Sequence, residues 1–303
     1  MRSICVIGGS RYFGKRLISR LLAAGDRVTV VNRGSSAPPD GVLHLVADRN
    51  DESSLRNALG DLTFDVVVDQ VCYTPRQADI ARRVFDGRTG RYVLTSTVEV
   101  YEYEDSDAPV REDAVDPHTV AVDLDAPWED PDHREAHYGE GKRQAEAVLA
   151  GASGFPWVSV RTAHVLGGAD DFTGRVEHYA TRMREGRPIR VPVGNRPATY
   201  IHVEEIADFL FWTAGQEFTG PVNANSRGPL VTAEICEAIG RVSGGTAEFA
   251  DVAVGAYSPF SFARSYGMDN ARAARLGFSF SHTSDWLESA VAETLGALED
   301  GKR

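Results

Sequence analysis

Short apolar runs alternate with helical patterns through the first 165 residues of the chain. The runs Ser3–Ile7, Arg27–Val31, Leu43–Val46, Val66–Asp69, Tyr92–Ser96 and Trp157–Arg161 predict strands. Several carry β-branched residues at consecutive positions, as parallel strands buried on both faces do. Between them, Gly14–Ala24, Asp51–Ala58, Arg76–Phe85 and Glu135–Ala150 carry helical spacing. Repeated strand–helix alternation predicts an α/β fold built on a Rossmann-type, doubly wound parallel sheet.

The rhythm breaks over Glu102–Ala136, which holds 13 carboxylates and the four prolines Pro109, Pro117, Pro127 and Pro131. Such a stretch reads as a solvated excursion, or as a lid over a neighbouring site with Trp128 as its apolar contact. Beyond Gly167 the alternation weakens: Pro188–Pro192 and Val222–Asn225 read as strands, and Val203–Ala214, Thr232–Ser243 and Ser284–Leu298 as helices. The expected organisation is a dinucleotide-binding domain over 1–166, with the acidic excursion 102–136. A smaller C-terminal substrate-binding lobe follows over 167–303, of which about 198–225 returns to the core.

Composition narrows the classes. The net charge of −12 and pI near 5.2 argue against a nucleic-acid-binding surface, which needs a basic stripe. Cys5, Cys72 and Cys236 are too few and too widely spaced for a disulfide framework or a zinc site, and read as buried thiols in a reducing compartment. The strand-like run at Ser3 leaves no room for a signal peptide, and no apolar stretch is long enough for a bilayer, so a cytoplasmic location with no membrane partner is expected.

The first strand runs into Gly8-Gly9-Ser10-Arg11-Tyr12-Phe13-Gly14 and then directly into a helix. That turn lets backbone N–H groups and a helix N-terminus approach a diphosphate, with Gly14 allowing close helix–strand packing. Dinucleotide sites that bind NAD place an acid at the end of the second strand. Here Asn32-Arg33 stands there, and Arg11 lies in the loop, which favours the 2′-phosphate of NADP over NAD, with NAD as the alternative.

The chain has only three lysines, Lys15, Lys142 and Lys302, so a lysine stands out. Lys142 follows Tyr138 by one helical turn, and a nearby ammonium lowers a phenol's pKa towards neutrality. Thr97, at the end of the fifth strand, offers a hydroxyl to a substrate oxygen.

In this order, the glycine loop, Thr97, Tyr138 and Lys142 resemble the extended short-chain dehydrogenase/reductase superfamily, in its epimerase/dehydratase-like branch. The resemblance continues through Val160–Gly167, Tyr200–Ala207 and Ala271–Phe278. The first half also resembles an atypical subgroup that includes chloroplast stem-loop-binding proteins. The resemblance implies Tyr138 as proton donor or acceptor, Lys142 on the nicotinamide ribose, and Thr97 on the reacting oxygen. It also implies Asp48 at the adenine, Thr162 to His164 beside the nicotinamide, and a homodimer through helices that include the Tyr138 helix.

Three positions depart from the pattern. Arg11 replaces the middle loop glycine, and Ala198-Thr199 stands where an arginine often grips a nucleotide-sugar diphosphate. Val98-Glu99 replaces the Asp-Glu pair of dehydratases, leaving Glu99 as a candidate base beside a carbonyl and making 4,6-dehydration unexpected. His133 and His137 lack the companion glutamate of a zinc site, so no metal is expected. The expected function is hydride transfer between NADP(H) and a carbonyl or hydroxyl carbon of a small sugar-like, polyol or secondary-metabolite substrate. The alternatives are a nucleotide-sugar epimerase or dehydratase holding NAD, and a non-catalytic dinucleotide-sensing or nucleic-acid-associated protein.

Overall fold

A computed structural model describes residues 1–104 and 106–300; Asp105 of the acidic excursion and residues 301–303 at the chain end lie outside them. The first elements are β1 (Ser3–Ile7), α1 (Phe13–Ala23), β2 (Arg27–Asn32), β3 (Leu43–Val46), α2 (Glu52–Leu59), β4 (Val66–Asp69), α3 (Pro75–Phe85) and β5 (Tyr92–Thr97). Then come α4 (Pro131–Ala136), α5 (Tyr138–Ala150), β6 (Trp157–Thr162), β7 (His164–Leu166), α6 (Arg175–Arg184), β8 (Ile189–Pro192), β9 (Tyr200–His202) and α7 (Val203–Thr213). The last are β10 (Gly220–Ala224), α8 (Thr232–Ser243), β11 (Phe249–Val252), α9 (Ala271–Leu276) and α10 (Leu287–Asp300).

Seven strands form one sheet in the order β10-β6-β5-β4-β1-β2-β3. The pairings β2–β3, β1–β2, β1–β4, β4–β5 and β5–β6 are parallel. Chain order reverses direction between β1 and β4, the switch point at which doubly wound sheets open a crevice at their carboxyl edge. Every residue of β4, β5 and β6 is buried, which is why these strands lack apolar–polar alternation.

The chain divides into two compact units. The first comprises Met1–Tyr103, Glu112–Thr162 and Ala207–Val222; the second comprises Glu104–Arg111, Ala163–Ile206 and Asn223–Arg303. One core cluster of the first unit packs Cys5, Ile7, Val67, Leu94 and Trp157 against Val84, Phe85 and Leu149 of α3 and α5. The second unit packs α6, α8 and α10 around Tyr179, Ile189, Tyr200, Ile235 and Trp286, with two short parallel pairs, β8–β11 and β7–β9. Among the described residues no helix is long and apolar enough to cross a membrane.

The helical pattern over Glu135–Ala150 is two helices. His137, with φ −118° and ψ 32°, ends α4 and begins α5, so Tyr138 is the first residue of its helix. Part of the acidic excursion lies along α3 and α5. Arg76 of α3 donates to the Leu124 carbonyl and pairs with Glu129. The Asp123 N–H donates to Gln144 Oε1 of α5. Trp128 is buried, with its indole N–H on the Asp123 carbonyl, and its ring is committed to this packing.

Candidate functional site

Strand register collects the candidate residues of the first unit at the carboxyl edge of the sheet. Ile7 pairs with Val31 and with Asp69, so the glycine loop, Asn32-Arg33 and the segment from Gln70 leave the sheet at one level. Asn32 pairs with Val46, two residues before Asp48, and Thr97 pairs with Thr162.

The glycine loop admits no other residue at three positions. Gly8 and Gly9 have φ of +86° and +76°, and Cβ atoms there would stand 2.8 Å from Val71 Cγ1 and 2.7 Å from Val6 Cγ1. A Cβ on Gly14 would stand 2.5 Å from the Gly9 Cα. Tyr12, at φ +51°, is one of two described non-glycine residues with positive φ; it is buried and starts α1. Held backbone of this kind collects at ligand-binding sites. Gln70 lies under the loop, with its Oε1 2.4 Å from where a Gly14 Cβ would be, and its Nε2 has no partner. A tight glycine loop with an eleven-residue helix starting from it fits the diphosphate of a dinucleotide.

Asn32 is fully engaged. Its Nδ2 donates to Ser10 Oγ (2.7 Å) and to the Ser36 carbonyl, while its Oδ1 accepts from the Gly34 N–H and meets His44 Nε2. It therefore ties the glycine loop to the β2–β3 loop, a role the sequence alone does not reveal. Arg11 and Arg33 are exposed on these two loops. Asp48 is exposed and accepts from the Asn50 N–H and amide.

The start of α5 is shaped by two glycines. A Cβ on Gly139 would stand 2.4 Å from the Glu99 carbonyl oxygen, and one on Gly141 2.4 Å from the Tyr73 carbonyl oxygen. Their absence of side chains lets α5 approach the turns after β5 and β4 together. Lys142, one turn into the helix, is 2% exposed and donates from Nζ to the Thr95 carbonyl at 2.8 Å. Its ammonium lies 4.7 Å from the Tyr73 ring centroid and 5.9 Å from that of Tyr138, and the two rings are 6.2 Å apart. Burial lowers the Lys142 pKa from 10.5 to about 8, with Cys72 and Asp69 acting in the opposite sense.

Thr97 begins a 3-10 turn over Val98–Tyr101, and its Oγ1 accepts from the Glu99 N–H at 3.2 Å. That contact uses the oxygen and directs the hydroxyl proton elsewhere, where it can serve a substrate oxygen. Glu99 is half-buried in the turn. Thr162 is buried, bonded to the Val160 carbonyl.

Two buried charge clusters hold this edge. Glu146, one turn beyond Lys142, accepts from Ser96, Ser159 and Arg161, and pairs with Arg161 Nη2 at 2.6 Å. Arg161 also donates to Tyr101 and to the carbonyls of Glu112 and Val115, so one guanidinium links α5, β6, the 3-10 turn and the excursion. Asp69 accepts from Arg49 and Tyr92 on one oxygen and from the Val71 N–H on the other.

His164 belongs to the second unit. Its ring stacks on Phe262 at 5.0 Å, with Tyr200, Phe260 and Tyr266 around it. Burial, then Arg175 and Arg264, push its pKa down to about 3, so it is neutral and not a proton shuttle near pH 7. His133 and His137 stack on each other at 4.1 Å, with His137 Nδ1 on the His133 carbonyl. Among the described residues no three His, Cys, Asp or Glu side chains are grouped to hold a metal ion. Sequence reasoning missed Gly139, Gly141 and the Glu146–Arg161 pair; the two glycines flanking Glu140 were the available signal.

A parallel sheet with this strand order, a glycine loop at β1 and a Tyr–Lys pair on α5 define a Rossmann-type dinucleotide fold. The family model described as "NAD dependent epimerase/dehydratase family" matches residues 4–224, and the chain belongs to that family, within the extended short-chain dehydrogenase/reductase superfamily. Among curated proteins the chain is similar to the chloroplast stem-loop binding protein of 41 kDa b of Arabidopsis thaliana, 26% identical over 234 residues, covering 71% of this chain and 56% of that protein. It is also similar to UDP-glucuronic acid decarboxylase 2 of Arabidopsis thaliana, 23% identical over 266 residues, covering 78% and 56%. The chain thus spans about half the length of these relatives. Its fold matches UDP-glucose 4-epimerase of Thermotoga maritima with UDP-glucose, at TM-score 0.76 and 17% identity over 99% of this chain and 100% of that one. It likewise matches the Bordetella bronchiseptica enzyme WbmH in complex with NAD+, at TM-score 0.73 and 18% identity over 99% of each.

Proposed function

We propose that the chain is an NAD(P)-dependent epimerase or reductase acting at a carbonyl or hydroxyl carbon of a sugar-like substrate. When bound, the nicotinamide supplies or accepts the hydride. Thr97 donates its hydroxyl proton to the reacting oxygen. Tyr138 gives that oxygen a proton in the reductive direction and removes it in the oxidative one. Lys142 keeps a positive charge over the Tyr138 and Tyr73 rings, which favours the phenolate, and takes the ribose-bonding role that the resemblance implies. Glu99 is the candidate base for a proton beside the carbonyl. The observation that carries this reading is the buried Lys142 ammonium, 5.9 Å from the Tyr138 ring and anchored on the Thr95 carbonyl.

The cofactor proposal is NADP(H). Asn32 spends its amide on the two loops, and the position offers no carboxylate to a ribose 2′-hydroxyl, while Arg11 and Arg33 are exposed beside it. Nucleotide-sugar epimerisation with NAD is the second reading; UDP-glucose and NAD in the fold's neighbours favour it, and Ala198-Thr199 weighs against it. A nucleic-acid role, suggested by the stem-loop-binding relative, sits poorly with a net charge of −12.

The test is binding and turnover with NADH and NADPH against a panel of keto-sugars and nucleotide sugars. NADPH is expected to bind at least about tenfold more tightly, and Arg33→Ala to erase that preference. A wild-type preference for NADH overturns the NADP assignment.

A further inference from the structure

Tyr73 lies in the turn after β4, and its backbone is held from two sides. Its N–H donates to Gln77 Oε1 of α3 at 2.6 Å, and its carbonyl faces Gly141 of α5, where a Cβ would strike it. So fixed, the ring packs at the first turn of α5. Its centroid is 4.7 Å from Lys142 Nζ and 6.2 Å from the Tyr138 ring centroid. Tyr73 is 39% exposed, so the ring adds little to the core.

Lys142 is nearly fully buried, and the hydrogen bond from its ammonium goes to the Thr95 carbonyl. Among the described residues no carboxylate is paired with it. A buried ammonium without an anion is costly, and an aromatic face within about 6 Å of the cation offsets part of that cost. Tyr73 presents the nearer of two such faces, and Tyr138 the other. The other titratable groups that act on Lys142 are Cys72 and Asp69 after and at the end of β4, Arg49 from the turn after β3, and Glu146 of α5. Asp69 is paired with Arg49 and Glu146 with Arg161, so both carboxylates are already matched by guanidinium groups. A carboxylate in place of the Tyr73 ring would hold the ammonium and cancel its field at Tyr138. A neutral ring holds the cation and leaves its charge acting on the phenol.

We propose that Tyr73 is a positioning residue of the proton-transfer site, whose ring holds the Lys142 ammonium beside Tyr138 without an opposing charge. The role in the reaction rests on the hydride-transfer function proposed above.

The experiment uses the full chain with carbon-13-labelled lysine and follows the lysine Cε signals by NMR against pH. The chain has only three lysines, Lys15, Lys142 and Lys302, and the signal lost in Lys142→Met identifies the one of interest. Lys142 of wild type is expected to titrate near pH 8. Tyr73→Phe, which keeps the ring, is expected to match it. Tyr73→Leu is expected to titrate about one pH unit or more lower, a tenfold change in the protonation equilibrium. A ring-fluorinated phenylalanine at position 73 keeps the shape and weakens the ring face, and is expected to move the midpoint the same way should Tyr73→Leu not fold. An unchanged midpoint in these variants overturns the proposal. So does an equal fall in Tyr73→Phe, which would assign the effect to the hydroxyl. In turnover, kcat is expected to fall about tenfold in Tyr73→Leu with cofactor affinity within about twofold of wild type, and a wild-type kcat overturns the role in the reaction. The titration needs no substrate, so its failure strikes Tyr73 alone. A wild type that turns over none of the sugar panel strikes the hydride-transfer function, and the role of Tyr73 in it falls with that function.

Discussion

Gly139 and Gly141 separate Tyr138 from Lys142, and each stands where a methyl group would strike a carbonyl oxygen. The glycines weaken helix propensity at the very start of α5 but allow its first turn to touch the turns after β4 and β5. Gly141→Ala is therefore expected to destabilise the fold by about 1–3 kcal/mol and to displace Lys142 from the Thr95 carbonyl. Urea unfolding together with cofactor affinity checks this; a variant with unchanged values for both contradicts it. Lys142 supplies a pH prediction. Its folded pKa of about 8 lies below its ordinary 10.5. Between those values the unfolded chain holds more protons at this lysine than the folded one, so its contribution to unfolding free energy rises with pH across that window. Wild type measured against Lys142→Met is expected to show that rise from about pH 8 upward, and a flat difference would contradict it.

At the level of elements, α5 is held to the sheet by the Glu146–Arg161 pair, which also gathers Ser96, Ser159 and Tyr101. Arg161→Met would leave the Glu146 carboxylate buried and unpaired, an expected loss of about 3–5 kcal/mol, and Arg161→Met with Glu146→Leu a smaller one. Equal losses in the single and double variants would show that the pair does not act as a unit. The strands around this pair were legible in the sequence, since uninterrupted β-branched runs such as Val66–Val68 suit a sheet covered on both faces. The break at His137 was not, because helical spacing runs unbroken from Glu135 to Ala150, while the non-helical His137 backbone and the close approach of Gly139 to the Glu99 carbonyl are features of the folded chain.

For the molecule as a whole, the strand order and family membership place it among Rossmann-type epimerases and dehydratases, while several departures keep the substrate as the finer question. Arg11, Val98 and Ala198-Thr199 stand where the resemblance implied other residues, and Asn32 stands where a dinucleotide site that binds NAD has an acid. The motifs were readable because they sit in consecutive residues; the tie that Asn32 makes between two loops was not, since it joins Ser10 to Ser36 and His44 across the strand ends. The proposed function turns on Tyr138 moving the proton that accompanies hydride transfer. It is tested most directly by loading wild type and Tyr138→Phe with oxidised cofactor, adding the sugar panel, and following reduced-nicotinamide fluorescence in a single turnover. A signal is expected in wild type and a rate at least about 100-fold lower in Tyr138→Phe, with cofactor affinity unchanged. Equal rates in the two proteins would contradict it.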